Sequence, residues 1–229
     1  VDSYFYTLLV SLVPAISILF KSKDIKKVSI YFKIQTVILG YFLLPAIISL
    51  PYYLSIYNIT FIDAYFEAIS GFTSTGFTIF DNIKHLDESL IIWRSSSQWI
   101  GGLYFLFSIL LLIDIFDDNL KKTLTNFLSF NSSEIFKQFF KILVFYIFLT
   151  FIIFIIYNIF EIRSFNSLNL ALTVVSSGGF LPSNNLASIL NTEIKTIMFS
   201  LTLLVSFFGL FFFYNIFLIR NKGLKSVQE

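Results

Sequence analysis

The sequence predicts an all-α integral membrane protein with five transmembrane helices plus two re-entrant pore helices. These form tandem parallel span–pore loop–span repeats. Three observations carry this expectation. The 229-residue chain is 56% hydrophobic and 13% charged, whereas a soluble domain carries about 25% charged residues. Its apolar residues gather into runs long enough to cross a bilayer, which takes roughly 17–25 helical residues. A glycine-broken motif, GFTSTGF at 71–77, is echoed by SSGGF at 176–180.

Five runs have spanning length: Ser3–Phe20, Ile34–Tyr57, Trp93–Ile113, Ile142–Phe160 and Thr196–Ile219. Pro14 is expected to bend the first, and Pro45 and Pro51 to bend or shorten the second, because proline removes a helix donor. Lys21, Lys23, Lys26, Lys27 and Lys33 lie between spans one and two. Lys121, Lys122, Lys137 and Lys141 lie between spans three and four, and Arg220, Lys222 and Lys225 follow span five. The opposite loops hold only Lys84, Arg163 and Lys195. The positive-inside rule makes the basic loops cytoplasmic and the other loops external, as in a multi-pass protein of the inner or plasma membrane.

Each external loop contains an apolar stretch too short to cross: FIDAYFEAISGF (61–72) and SFNSLNLALTVV (164–175). Stretches of this length are typical of re-entrant segments. Placing Gly76 over Gly178 gives a repeat that carries span two onto span four and span three onto span five. The expected organisation is a leading helix and cytoplasmic loop (1–27), a first pore repeat (28–118), a cytoplasmic linker (119–133) and a second pore repeat (134–229). Both repeats run the same way, so their axis lies along the membrane normal.

Non-helical backbone at membrane depth survives only when it is buried in protein or lines water. A helix that dips in, stops at glycine and returns extended can present carbonyl oxygens to a dehydrated monovalent cation. Its C-terminus adds about half a negative charge. The candidate filter residues are Ser74, Thr75, Gly76 and Phe77 in the first loop, and Ser176, Ser177, Gly178 and Gly179 in the second. Asp63 suits the positive end of the first pore helix, and Glu67 lies one turn on; each reads equally as a cap or packing support of that helix and as negative potential around the outer mouth. Gln98 bonds filter-supporting backbone, while Arg94 snorkels to the interface. Gly101 and Gly102 read as close-packing positions.

The absence of Cys excludes thiolate chemistry, and His85 alone cannot build a multi-histidine site. Asp114, Asp117 and Asp118 read as a solvated cap rather than a metal site, and Asn58-Ile-Thr60 as a chance match to a glycosylation acceptor. Spans two, four and five have no ionisable residue in their cores, which argues against an intramembrane enzyme. No cofactor besides potassium ion and no nucleic-acid partner are expected. The competing expectation is an accessory membrane subunit whose turns only press against a partner.

FIDAYFEAISGFTSTGF with WRSSSQWIGGL (93–103) resembles the first pore repeat of the Trk/Ktr/HKT family of potassium-uptake proteins. SFNSLNLALTVVSSGGFLPS resembles its second pore loop, and span one matches the leading helix of TrkH-type members. The resemblance covers residues 28–220. It implies a potassium pore subunit in which four such repeats surround one path, with potassium preference tied to the glycine at Gly76 and its counterpart Gly178. It also implies homodimers and a cytoplasmic nucleotide-binding regulatory subunit. Phe77, Tyr104 and Ser177 depart from the family pattern. Only two repeats are present, and the chain begins at Val1, so the expectation is the N-terminal half of a longer chain. A missing C-terminal half or a second copy would then close the filter.

Overall fold

The computed structural model describes residues 2–21, 29–112 and 135–207. The expected linker, the Asp114–Asp118 cluster, most of the basic residues expected in the cytoplasm and the far end of span five lie outside the described residues. Every regular element among the described residues is helical: α1 Asp2–Lys21, α2 Ile30–Ile48, α3 Leu50–Ser55, α4 Phe61–Phe72, α5 Glu88–Leu111, α6 Ile135–Ile159 and α7 Ser164–Val175, with short 3-10 turns at Ile83–His85 and Leu186–Ser188. A further helix, α8, occupies 193–207.

The two prolines act as expected on the second apolar run. Ser29 caps α2 by accepting from the Phe32 amide, and Pro45 lies inside the helix. Pro51 opens α3, so the run breaks at the fully buried Ser49. Ile30–Ser55 and Phe139–Ile159 are long and apolar enough to cross a membrane. The two short stretches form the expected helices, with the expected limits. At 12 residues each, α4 and α7 reach only about 18 Å, well under a ~30 Å hydrocarbon layer.

Two hydrophobic cores form, one around each short helix. Ile48, Tyr52, Ala64, Ala68, Phe72 and Leu90 enclose α4. Tyr146, Leu149, Ile153, Tyr157, Leu170 and Val174 join α6 to α7, and Leu103 of α5 reaches into this second core. Polar residues on α6 find partners across the bundle. The Tyr146 hydroxyl donates to the Trp99 carbonyl at 3.2 Å, the Trp99 indole donates to Thr150 Oγ1 at 2.9 Å, and Tyr157 pairs with Thr202 at 2.7 Å. Phe5, Leu39, Phe42, Leu43, Phe148, Phe151 and Leu204 are exposed, as suits helices facing lipid hydrocarbon rather than water.

Helix α5 runs between the two cores, and glycines let it approach both short helices. A Cβ at Gly101 would fall onto the Phe72 carbonyl, at the end of α4. One at Gly102 would meet the Tyr146 hydroxyl at 2.5 Å and Ser176, at the end of α7, at 3.1 Å. Tyr104, the departure from the family pattern, is matched by Gly40 on α2, where a Cβ would collide with its hydroxyl. That hydroxyl donates to the Val37 carbonyl at 3.0 Å, and its ring packs edge-on against Tyr41 at 5.0 Å.

Two outcomes are expected from these contacts. Gly101→Ala meets backbone and should lower thermal stability in detergent by about 1–3 kcal/mol, the usual cost of overpacking. Gly102→Ala meets the buried Tyr146 hydroxyl and should also destabilise, with part of the cost relieved in a Tyr146→Phe background. Gly40→Ala should destabilise the native chain but do little in a Tyr104→Ala background. Equal costs in both backgrounds would show that the two residues are not coupled.

Candidate functional site: the paired loops after α4 and α7

Both short helices end in the same hydrogen-bonded closure. After α4, the Ser74 amide donates to the Gly71 carbonyl at 2.9 Å and the Thr75 amide to the Ser70 carbonyl at 3.0 Å. After α7, the Ser177 amide donates to Val174 at 3.0 Å and the Gly178 amide to Thr173 at 2.8 Å. This is the Schellman arrangement, which needs one left-handed residue just past the helix. That residue is a serine in both loops, with φ of 54° at Ser74 and 53° at Ser177.

The closure corrects the repeat register. Ser74 matches Ser177, so Thr75 matches Gly178 and Gly76 matches Gly179; the earlier pairing of Gly76 with Gly178 is one residue short. Farther on, Asn184 Nδ2 donates to Asn82 Oδ1 at 2.8 Å.

The glycines have different reasons. Gly76 has φ +79° and is the one described glycine with a left-handed backbone. A Cβ on Gly76 would also lie 2.8 Å from the Gly179 Cα, so the two loops touch backbone to backbone. Gly178 needs no positive φ. It leaves room for Gln98, whose amide oxygen a Cβ would overlap.

A hydroxyl inside each helix holds the returning strand. Ser70 Oγ donates to the Phe77 carbonyl at 2.5 Å, and Thr173 Oγ1 donates to the Phe180 carbonyl at 3.0 Å. Between these anchors, the carbonyls of Ser74, Thr75, Gly76, Ser177, Gly178 and Gly179 accept no hydrogen bond from the described residues. Thr75, Ser177 and Gly179 are exposed and Ser74, Gly76 and Gly178 half-buried, while Ser176 is buried with its hydroxyl turned back to the Leu172 and Thr173 carbonyls at 3.0 Å. Phe77 is 69% exposed, whereas its counterpart Phe180 is 1% exposed. Ser70 and Thr173 were not among the sequence candidates. Their signal is position: each precedes the phenylalanine of its loop by seven residues.

Of the two readings of Glu67 the packing one fits its place, and Arg94 departs from expectation. Glu67 does not add free charge at a mouth, and Arg94 does not snorkel outward. They form an ion pair, Arg94 Nε to Glu67 Oε1 at 2.8 Å, with side chains 1% and 0% exposed. Thr78 Oγ1 and the Ile79 amide each donate to Glu67 at 3.0 Å. Arg94 also donates to Thr78 Oγ1 at 3.1 Å and to the Leu181 carbonyl at 3.5 Å. Its guanidinium carbon lies 4.2 Å from the Phe180 ring centre and 5.7 Å from that of Phe80. Burial away from water explains the correction, because an isolated charge at this depth is too costly.

Gln98 bonds the end of α7 and the segment after it: its Oε1 accepts from Thr173 Oγ1 at 3.0 Å and from the Phe180 amide at 3.3 Å. Asp63 serves the helix start, where the Thr60 hydroxyl donates to its carboxylate at 2.7 Å and accepts from its amide at 3.2 Å. Below the loops, Phe72, Thr73, Ser74, Gly102, Ser176 and Ser177 help line a cavity of about 460 Å³, with the C-terminal ends of both short helices at its wall.

No family model matches the chain. A 54-residue stretch is 44% identical to an uncharacterized cation transporter of Methanocaldococcus jannaschii, covering 24% of this chain and 11% of that protein. A 46-residue stretch is 48% identical to the Trk system potassium uptake protein TrkG of Escherichia coli K12, covering 20% and 10%. The Escherichia coli K12 protein TrkH is 35% identical over 68 residues, covering 29% and 14%. The fold matches the crystal structure of the potassium transporter TrkH from Vibrio parahaemolyticus with a TM-score of 0.71 at 20% identity, over 89% of this chain and 42% of that one. The chain thus spans less than half of that solved relative, and the matched stretches span far less of the curated ones. In fold the chain is thus similar to the TrkH structure, and over these short stretches its sequence is similar to Trk potassium uptake proteins and to a cation transporter.

Proposed function

We propose that the chain forms part of a potassium-conducting pore, with the loops after α4 and α7 as two walls of a selectivity filter. The observation that carries this reading is the row of unbonded carbonyls at Ser74–Gly76 and Ser177–Gly179, lying side by side where Gly76 meets Gly179. Carbonyls left without donors in a membrane protein have a use when they replace the water shell of a cation. The helix ends behind them contribute partial negative charge on the same side. Potassium is the ion named for the Trk proteins that the chain resembles.

Two walls do not surround an ion. The remaining walls come from a further segment of a longer chain or from a second copy of this one. The basic loops lie in the cytoplasm and the filter opens outward, as the lysine distribution requires. A homodimer and a cytoplasmic nucleotide-binding regulator complete the proposed assembly. The accessory-subunit alternative has no comparable use for the unbonded carbonyls.

The test is cation uptake by the native assembled transporter in cells lacking their own potassium uptake. Gly76→Ser should lower potassium-over-sodium discrimination by about tenfold, which corresponds to ~1.4 kcal/mol. Gly76→Val should abolish transport, since a branched side chain fits neither the positive φ nor the contact with Gly179. Unchanged discrimination in Gly76→Ser would remove this residue from the filter.

A further inference from the structure

We infer that one face of α5 is a gauge that sets the two filter walls relative to each other, with Arg94 and Gln98 as positioning residues for ion discrimination. This rests on the filter reading above. Arg94, Gln98 and Gly101 follow one another at helical spacing, so they share a stripe on α5. Each holds a different level of the loops. Gly101 admits the end of α4, with Gly102 beside it admitting the end of α7. Gln98 holds the second wall at Thr173 and Phe180. Arg94 holds both walls, through Glu67 and Thr78 on one side and the Leu181 carbonyl and Phe180 ring on the other.

The walls need such a device because they do not bond each other. Among the described residues, no hydrogen bond joins 73–80 directly to 176–181. Gly76 lies against Gly179, two residues without side chains to interlock, and the Phe180 ring that Arg94 covers lies against Gly71 at the end of α4. Only farther along do the loops meet in hydrogen bonds, where Asn184 accepts from the Ile83 amide at 2.6 Å and donates to Asn82. The spacing of the carbonyl rows is therefore fixed from behind, by α5. Gln98 is fully buried, and its amide nitrogen has no hydrogen-bond partner among the described residues. That amide lies flat against Gly178, whose missing Cβ makes its place. The contact explains a glycine that backbone conformation does not require.

The experiment measures potassium, rubidium and sodium uptake by the native assembled transporter, together with membrane protein level and thermal stability. Gln98→Leu removes both acceptor bonds. Glu67→Gln combined with Arg94→Gln removes the ion pair without leaving a lone buried charge. Both should reach the membrane with potassium-over-sodium discrimination reduced by about fivefold, the equivalent of one lost hydrogen bond. Gln98→Asn, which keeps an uncharged amide oxygen, should restore part of it; a purely structural role would lower protein level while leaving the ratio intact. If Gln98→Leu is not recovered, Gln98→Met, which keeps the chain length and loses the acceptor oxygen, replaces it, and the Glu67/Arg94 double variant tests the gauge independently. Unchanged discrimination in these variants, while Gly76→Ser lowers it, overturns the gauge and spares the filter. Unchanged discrimination in Gly76→Ser as well removes the filter reading itself.

Discussion

The Glu67–Arg94 ion pair is the contact around which the two halves of the site are arranged. Both side chains are buried, so each charge has given up its water, and the attraction between them roughly offsets that loss rather than adding much net stability. What the pair contributes is geometry. Glu67 accepts from Arg94, Thr78 and the Ile79 amide, while Arg94 reaches on to Leu181 and lies against Phe180. A guanidinium is planar, always charged and able to donate in several fixed directions. One such group can therefore tie helix α4, the strand after the first loop and the strand after the second.

Small residues make that arrangement reachable. Gly101 and Gly102 bring α5 against both short helices, and Gly178 brings the second loop against Gln98. These glycines act through space rather than backbone freedom. Only Gly76 combines a positive φ with a close approach. The left-handed turns that end α4 and α7 are made by Ser74 and Ser177, at an energetic cost that a glycine there would avoid. The same closure in both loops means that the unbonded carbonyls begin at matching heights in each repeat.

Gly40 and Tyr104 show how the chain accommodates its own departures from the family pattern. A large aromatic residue on α5 is received by a glycine on α2, and the tyrosine hydroxyl is satisfied by the Val37 carbonyl. Tyr41, Phe72 and Tyr104 then form one aromatic cluster beside the end of α4, with ring centres 5.0–5.7 Å apart.

The sequence by itself determined the helical class, the two short helices to the residue and the break between Pro45 and Pro51, and it marked Gln98 as a side chain that bonds backbone near the glycine turns without saying which one. These follow from local chemistry: apolar run length, proline's missing donor, and a polar side chain beside a glycine turn. Only the tertiary structure decided the register of the loops, because it is fixed by which carbonyl the Thr75 and Gly178 amides reach, and two adjacent glycines at 178–179 leave that open in one dimension. It alone paired Glu67 with Arg94, which lie 27 residues apart on different helices. A lone arginine near a helix end reads equally as an interface anchor, and burial is a property of the assembled bundle. The seven-residue ties from Ser70 and Thr173 were equally hidden, since a small hydroxyl in a membrane helix gives no sign of its partner until the chain has turned back on it.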